Sequence, residues 1–189
     1  MSVVSDVYGS RDLSVVAEVY DFESRKIWAK TAAVKVAGES CVDVFRIPFA
    51  DLSAGHDLTR PHFIKLRIRE GGEEIASTFY WRSGSEYKGP GTVTGSCVAG
   101  FAALSDLPKT TLEAVGIADG VRVTNTGDRI AFMVEVQCLD DAGRRIVPVH
   151  YSDNFFSLLP GESRIVRFER PQGLKQVRTS CWNDGHDGI

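Results

Sequence analysis

Apolar and polar residues alternate in short runs along most of this chain, which limits the folds available to it. The clearest run places apolar side chains at every second position: Ile130, Phe132, Val134, Val136 and Cys138. Glu135 and Gln137 fall in the opposite phase. A repeat of two residues is that of a β-strand, whose successive side chains point to opposite faces. The run therefore predicts a strand with one face in a core.

Comparable runs recur in both halves of the chain and are separated by turn residues such as Gly71-Gly72. In the first half they predict strands at residues 2–6, 13–19, 27–36, 40–47, 63–70 and 74–81. In the second half they predict strands at residues 110–115, 120–124, 130–138, 145–151, 155–159, 164–169 and 175–182. Many short strands at regular spacing are typical of a β-sandwich. The fold class predicted is all-β.

A glycine-rich stretch divides the two sets of strands. Residues 82–95, RSGSEYKGPGTVTG, have no sustained period and are predicted to be a loop or linker. Residues 101–108, FAALSDLP, can form one helical turn before the proline ends it. Each half has the usual size of an immunoglobulin-like sandwich. We therefore predict two such domains in tandem, at residues 1–88 and 97–189.

The charge of the chain is small and its basic residues are scattered. The formal net charge is −3, and Lys65, Arg67 and Arg69 alternate with apolar neighbours. We interpret this alternation as one solvated face of a strand. A nucleic-acid-binding surface needs clustered basic residues, so no nucleic-acid partner is expected.

Neither a membrane segment nor a metal site is indicated by the sequence. No apolar run approaches the ~20 residues of a spanning helix, and the N-terminus does not have the pattern of a signal peptide. The four cysteines, at 41, 97, 138 and 181, lack metal-ligand spacing, so no metal or cofactor is expected. Cys138 is predicted to be a small buried hydrophobe, and a disulfide between Cys138 and Cys181 remains an open alternative.

No set of residues suggests catalysis. The acidic pairs Glu73-Glu74 and Asp140-Asp141 lie beside turn glycines and are interpreted as solvated turns. A serine triad built from Ser152, His150 and Asp153 has no support, because strand alternation separates sequence neighbours and no GxSxG turn is present. We therefore assign no catalytic residue.

Aromatic residues beside polar ones are the better candidates for function, as domain contacts or sugar contacts. The candidates are Trp81, Tyr151, Asp153, Asn154 and Phe155. Tyr80 and Trp81 are expected to alternate, one into the core and one against a neighbouring domain. Asp153 and Asn154 can instead serve their own loop by hydrogen bonding its backbone.

Residues 144–162, RRIVPVHYSDNFFSLLPGE, resemble a segment of the last domain of family 2 glycoside hydrolases. The resemblance is to the branch of β-mannosidases and exo-β-D-glucosaminidases. FAALSDLP at residues 101–108 is similar to the entry of that domain. In the first half, LSVVAEVYDFESRKIWAKTAAVKV and STFYWRS are similar to the preceding domain. The resemblance covers residues 2–182 and implies two immunoglobulin-like domains.

The resemblance also implies a function. The chain would be a non-catalytic C-terminal accessory region, whose partner is the catalytic barrel domain of a parent chain. That parent would hydrolyse terminal β-glycosidic bonds with retention, using two glutamates outside this sequence. A secreted or periplasmic parent is one option. An exposed apolar patch is expected near Trp81 or residues 151–156. The alternative is an independent carbohydrate-binding or adhesive β-sandwich module, with carbohydrate as the partner.

Overall fold

The computed structural model describes residues 1–83 and 101–184. The chain divides into two compact units, Met1–Leu104 (unit 1) and Ser105–Ile189 (unit 2). The predicted domain boundaries, at 88 and 97, fall outside the described residues.

Within residues 1–83, unit 1 contains two antiparallel sheets and one short helix. Its elements are β1 (Ser2–Ser5), β2 (Arg11–Tyr20), β3 (Lys26–Val36), β4 (Ser40–Asp43), α1 (Phe49–Gly55), β5 (His62–Glu70) and β6 (Glu73–Arg82). The larger sheet has the order β3-β2-β5-β6, and β1 pairs with β4. Strand β6 is therefore an edge of the larger sheet.

The core of unit 1 follows the alternation in β2. Leu13 and Val15 pack with Val3 of β1 and Val36 of β3. Val19 packs with Leu52 of α1 and with other buried residues, Leu58 and Ile64. Helix α1 was not predicted, and β4 ends at Asp43 rather than near residue 47. Leu52 is the only buried residue of α1, so the helix has no apolar periodicity that a sequence pattern could reveal.

The predicted solvated face of β5 is wrong for two of its three cations. Lys65 is only 3% exposed, and the Arg67 side chain is only 12% exposed. Glu18 on β2 lies opposite Lys65 and accepts hydrogen bonds from Arg67 and Lys26. Glu18 thus supplies a counter-charge for the buried Arg67 from the neighbouring strand, which the sequence of β5 alone does not indicate.

Unit 2 is built from two three-stranded antiparallel sheets. Its strands are β7 (Leu112–Ile117), β8 (Gly120–Asn125), β9 (Ala131–Leu139), β10 (Phe156–Leu158), β11 (Ser163–Arg167) and β12 (Gln176–Ser180), preceded by a 3₁₀ helix at Ala103–Asp106. The sheet orders are β10-β9-β12 and β11-β8-β7. Side chains from both sheets, among them Val123, Val136 and Val166, share one core.

The strongest prediction from the sequence is confirmed, since all five members of the run in β9 are at most 3% exposed. The all-β class and the two immunoglobulin-like domains in tandem are also confirmed. The predicted strand at 145–151 is wrong, because only Arg145 and Tyr151 form isolated bridges there. Pro148 lies in the middle of that segment and has no N–H to donate to a neighbouring strand.

Candidate functional site

Four of the five candidate residues lie in one short segment between β9 and β10. Residues 151–154 form what we call the YSDN loop, and Phe155 follows it directly. The Tyr151 hydroxyl accepts a hydrogen bond from the Cys138 amide of β9 at 3.0 Å. Its ring meets Phe168 edge to face, with centroids 5.5 Å apart. Burial and the Cys138 thiol raise the pKa of Tyr151 to about 12, although the hydrogen bond from the Cys138 amide acts in the opposite direction.

Asn154 binds β9 through its side chain as a strand would through its backbone. The amide oxygen accepts from the Val136 N–H at 2.8 Å, and the amide nitrogen donates to the Val136 carbonyl at 3.1 Å. Strand β10 pairs Phe156 with Val134, so Asn154 and Val136 continue the same register. The side chain therefore extends the pairing of β10 with β9 by one step.

The other two residues of the YSDN loop bind β11. Ser152 exchanges two hydrogen bonds with Arg167, because its N–H donates to the Arg167 carbonyl and its hydroxyl accepts from the Arg167 N–H. Asp153 forms an ion pair with Arg164, whose guanidinium also lies over the Phe156 ring, 5.2 Å from its centroid. Each residue of the loop is thus fastened to a strand of the core.

Phe155 is presented to solvent by this arrangement. It has a φ of 56°, in the left-handed region, and is 53% exposed. Its N–H donates to the Asn154 side-chain oxygen at 3.2 Å. Val147, in the same connection between β9 and β10, is 74% exposed. The segment therefore offers exposed apolar side chains on a tightly held backbone.

Trp81 lies in unit 1, near the end of the edge strand β6. Trp81 is 41% exposed and Tyr80 is 52% exposed, so the expectation that one of them enters the core is wrong. Phe79, also in β6, is half-buried, and its ring centroid lies 5.7 Å from that of the buried Phe63. Both candidate regions thus carry exposed apolar groups.

The predicted self-capping of the loop holds in part. Asn154 hydrogen bonds the backbone of its own segment at Phe155, but its stronger contacts are with β9. Asp153 instead pairs with a side chain of β11. Whether Trp81, Tyr151, Asp153, Asn154 and Phe155 contact a domain or a sugar stays a prediction.

Two buried asparagines organise unit 2 and were missed by the sequence reasoning. Asn125 is fully buried and makes four side-chain hydrogen bonds, with Thr110, Gly127, Arg129 and Leu158. Asn183 donates to the Pro108 and Ile130 carbonyls and accepts from the Phe132 N–H. Asparagine is ordinarily a turn signal, so a sequence pattern does not distinguish such a structural role.

The described residues provide no catalytic arrangement. No group of three or more His, Cys, Asp or Glu side chains within them is placed to hold a metal ion. Cys138 and Cys181 are free thiols, and burial raises the pKa of Cys181 to about 11, so this thiol is a poor nucleophile near neutral pH. None of the helices in residues 1–83 and 101–184 has the length and apolar character needed to cross a membrane.

A hollow of about 460 Å³ in unit 1 has an ionic lining that includes Asp21, Glu23, Arg25 and Lys26. Asp21 accepts hydrogen bonds from the backbone and side chain of Arg25, and Glu23 pairs with Arg25 and with Arg60. Among the described residues, the lining contains no Phe, Tyr or Trp ring on which a sugar could stack.

Comparison with known families assigns each half of the chain. The family described as the exo-β-D-glucosaminidase Ig-fold domain matches residues 92–184. The family described as the mannosidase Ig/CBM-like domain matches residues 1–83. Together they account for nearly the whole chain and agree with the division into two units.

The individual relatives of this chain are named as glucosaminidases or mannosidases. The chain is 32% identical to an exo-β-D-glucosaminidase of Amycolatopsis orientalis in an alignment 139 residues long, which covers 60% of this chain and 13% of the relative. It is 30% identical to an exo-β-D-glucosaminidase of Streptomyces avermitilis over 85% of this chain and 18% of the relative. A mannosylglycoprotein endo-β-mannosidase of Lilium longiflorum is 52% identical over 42 residues, 21% of this chain and 4% of the relative.

Solved structures share the fold. The exo-chitosanase CsxA of Amycolatopsis orientalis superimposes with a TM-score of 0.72 at 22% identity, over 97% of this chain and 24% of CsxA. A β-D-mannosidase from Dictyoglomus thermophilum superimposes with a TM-score of 0.60 at 14% identity, over 96% of this chain and 20% of that enzyme. The chain thus spans a quarter or less of each of these relatives. It belongs to the immunoglobulin-like accessory domains of the family 2 glycoside hydrolases, in the β-mannosidase and exo-β-D-glucosaminidase branch.

Proposed function

We propose that this chain acts as an accessory region that braces the catalytic domain of a larger glycoside hydrolase. The main support for the proposal is the small share of the related enzymes that this chain covers. The chain aligns over 97% of its own length with only 24% of CsxA, and both of its halves match immunoglobulin-like families. Such domains have no catalytic carboxylate pair of their own, so their contribution is mechanical or positional.

The reaction of the larger enzyme is the hydrolysis of terminal β-glycosidic bonds. The relatives' names indicate two substrate classes, β-mannosides and β-linked glucosamine. Family resemblance implies a retaining mechanism with two glutamates, placed on a barrel that this chain does not contain. Substrate choice is set by that barrel and not by the two units.

Exposed apolar groups support a role in domain contact. Phe155 and Val147 in unit 2, and Tyr80 and Trp81 in unit 1, are each at least 41% exposed. Contacts between domains of one chain bury ~600–1,500 Å² and place apolar side chains at their centres. These residues are the expected centres of such contacts, alongside the polar candidates Tyr151, Asp153 and Asn154.

An independent carbohydrate-binding module is the second candidate, favoured by the exposure of Tyr80 and Trp81. These two residues are neighbours in β6, so their rings project from opposite faces of the sheet. They do not form one flat platform for successive sugar units. The accessory role is therefore better supported.

The test begins with the gene. The reading frame upstream of Met1 should encode a (β/α)₈ barrel with two strand-end glutamates. The full product should then hydrolyse a β-mannoside or a chitosan oligomer, and the 189-residue chain alone should hydrolyse neither. A stop codon just upstream, together with binding of the chain to immobilised glycans, would establish the carbohydrate-binding module instead.

A further inference from the structure

Phe155 combines two properties that a folded domain normally avoids. Its φ of 56° places a bulky side chain in the left-handed region, where asparagine and glycine are the usual residues. Its aromatic ring is nevertheless 53% exposed, so core packing recovers only part of that cost. Backbone strain of this kind persists where the surrounding structure imposes it, and it concentrates at functional positions.

The contacts of the neighbouring residues impose this left-handed conformation on Phe155. On one side, the YSDN loop is fixed by the contacts of Tyr151 and Asn154 with β9, and of Ser152 and Asp153 with β11. On the other side, Phe156 is buried and pairs with Val134. The chain must join two fixed points across a single residue, and residue 155 takes the left-handed conformation between them. The geometry requires this conformation, but it does not require an aromatic side chain there.

We propose that Phe155 is the anchor residue by which unit 2 docks into an apolar pocket on the catalytic part of the same polypeptide. The inference rests on the proposed function and deepens it. A rigidly held, half-exposed aromatic side chain has the character of an interface hot spot. In CsxA the aligned region is 24% of the chain, so the partner surface would be on the same polypeptide. Covalent linkage gives a high effective concentration, so a small contact suffices.

The chemistry of the loop favours a protein pocket over a sugar. Saccharide recognition needs polar groups that can reach the hydroxyls beside a stacked ring. In this segment the Asn154 amide is engaged with Val136, and the Ser152 hydroxyl is engaged with Arg167. The Asp153 carboxylate is paired with Arg164. The polar groups nearest to Phe155 are therefore already committed to the fold, and the ring presents an apolar surface.

The first experiment uses the 189-residue chain alone and the variant Phe155→Asn. Asparagine tolerates the left-handed conformation, so the relief of strain should offset the lost packing of the ring. The folded-to-unfolded ratio from urea unfolding is expected to change by less than about threefold. A loss of about tenfold or more would overturn the proposal, because the ring would then be a packing residue of unit 2 itself.

The second experiment compares amide hydrogen exchange in the full-length enzyme and in the chain alone. Residues 152–158 should exchange about tenfold more slowly in the full-length enzyme, and Phe155→Asn should abolish that difference. Val115→Thr is the matched control, since Val115 is 52% exposed on β7 of the same unit. This control should leave the protection unchanged.

The outcomes separate the two proposals. If no part of either unit is protected in the full-length enzyme, or if no larger enzyme exists, the accessory role fails and the anchor fails with it. If protection appears elsewhere but not at residues 152–158, or if it survives Phe155→Asn, only the anchor is overturned. If the chain alone binds mannose or glucosamine oligomers and Phe155→Asn removes that binding, the ring is a sugar contact and the anchor is again overturned.

Discussion

The two units bury polar groups in different ways. In unit 1, Glu18 lies inside a sheet and accepts hydrogen bonds from two cations, Lys26 and Arg67. In unit 2, the fully buried Asn125 bonds the Thr110 hydroxyl and backbone groups of its neighbours through one neutral side chain. One unit neutralises buried charge with opposite charge, and the other satisfies its backbone with an amide.

The difference has consequences for stability. Burial alone would raise the pKa of Glu18, but hydrogen bonds from Lys26 and Arg67 outweigh burial and hold it below the usual value. The ion pair is therefore retained only while the carboxylate is charged, and its loss leaves the Arg67 guanidinium in a poorly solvated place. The Asn125 amide is not titratable, so its hydrogen bonds do not depend on its charge state. We expect unit 1 to respond to charge and pH, and unit 2 to respond to the geometry of single side chains.

The largest effect is expected for Asn125→Ala. The change removes four hydrogen bonds, leaves the Leu158 carbonyl without that partner in the core and opens a cavity, at a cost of about 4 kcal/mol. Urea unfolding followed by the NMR signals of unit 2 measures it. Thr126→Ala removes an exposed hydroxyl pair with Thr111 and should cost only about 0.5 kcal/mol. Equal losses of unfolding free energy in the two variants would show that Asn125 does not organise unit 2.

Glu18→Gln should destabilise unit 1 by about 3 kcal/mol, because it leaves the Arg67 guanidinium, only 12% exposed, without its nearest counter-charge. Glu70→Gln removes the exposed pair with Arg11 and should cost about 0.5 kcal/mol or less. The double variant Glu18→Leu with Arg67→Met should recover most of the loss. Guanidinium chloride is unsuitable because it screens charge, so thermal unfolding at low salt is the measurement. A double variant as unstable as Glu18→Gln would contradict the charge argument.

Asn154→Ala should cost unit 2 about 2 kcal/mol, since both bonds to Val136 are lost at the end of β10. Ser163→Ala removes an exposed hydroxyl pair with Thr124 and serves as the control, with an expected cost of about 0.5 kcal/mol. Urea unfolding of the two variants side by side decides whether the side chain completes the sheet. Indistinguishable midpoints would reduce Asn154 to an ordinary loop residue.

The smallest effect is a pH dependence confined to unit 1. His62 is 3% exposed, its Nε2 has no hydrogen-bond partner in residues 1–83 and 101–184, and burial holds its pKa below the usual 6.5. Below pH 6.5 the unfolded chain binds a proton that the folded chain resists, so stability falls with falling pH. The slope is at most about 1.4 kcal/mol per pH unit for one proton. Melting of wild type and His62→Gln from pH 7.5 to 5.5 should differ in slope for unit 1 and agree for unit 2.

The strands could be predicted from the sequence where one face is apolar throughout. The run in β9 and the run in β2 both specify side chains that are buried. Side chains of the opposite phase are buried as well at Glu18, Ala131 and Gln137, which the period of two does not predict. Helix α1 could not be predicted, since it has seven residues, one buried side chain and no side-chain cap. The burial of Arg67 in β5 could not be predicted from a local pattern either, because its counter-charge, Glu18, lies on β2.

The candidate loop could be identified, but its structure could not. The YSDN loop stands out as polar residues beside aromatic ones. The atoms that hold it belong to Val136, Cys138 and Arg167, which are 13 to 18 residues away along the chain. Strand pairing brings these atoms together, and a local pattern contains no information about them. The exposed Phe155 is a result of that long-range arrangement.

The way in which β9 is completed also affects solubility. Strand β10 has only three residues, so it leaves the later part of β9 without a partner strand on that side. An open strand edge is a template on which another chain can add, which is a common route to aggregation in β-proteins. Here the Asn154 amide and the Tyr151 hydroxyl occupy the backbone groups of Val136 and Cys138 that such a chain would use. Together with the Ile146 N–H, which donates to the Cys138 carbonyl, these two side chains occupy the edge against intermolecular strand addition.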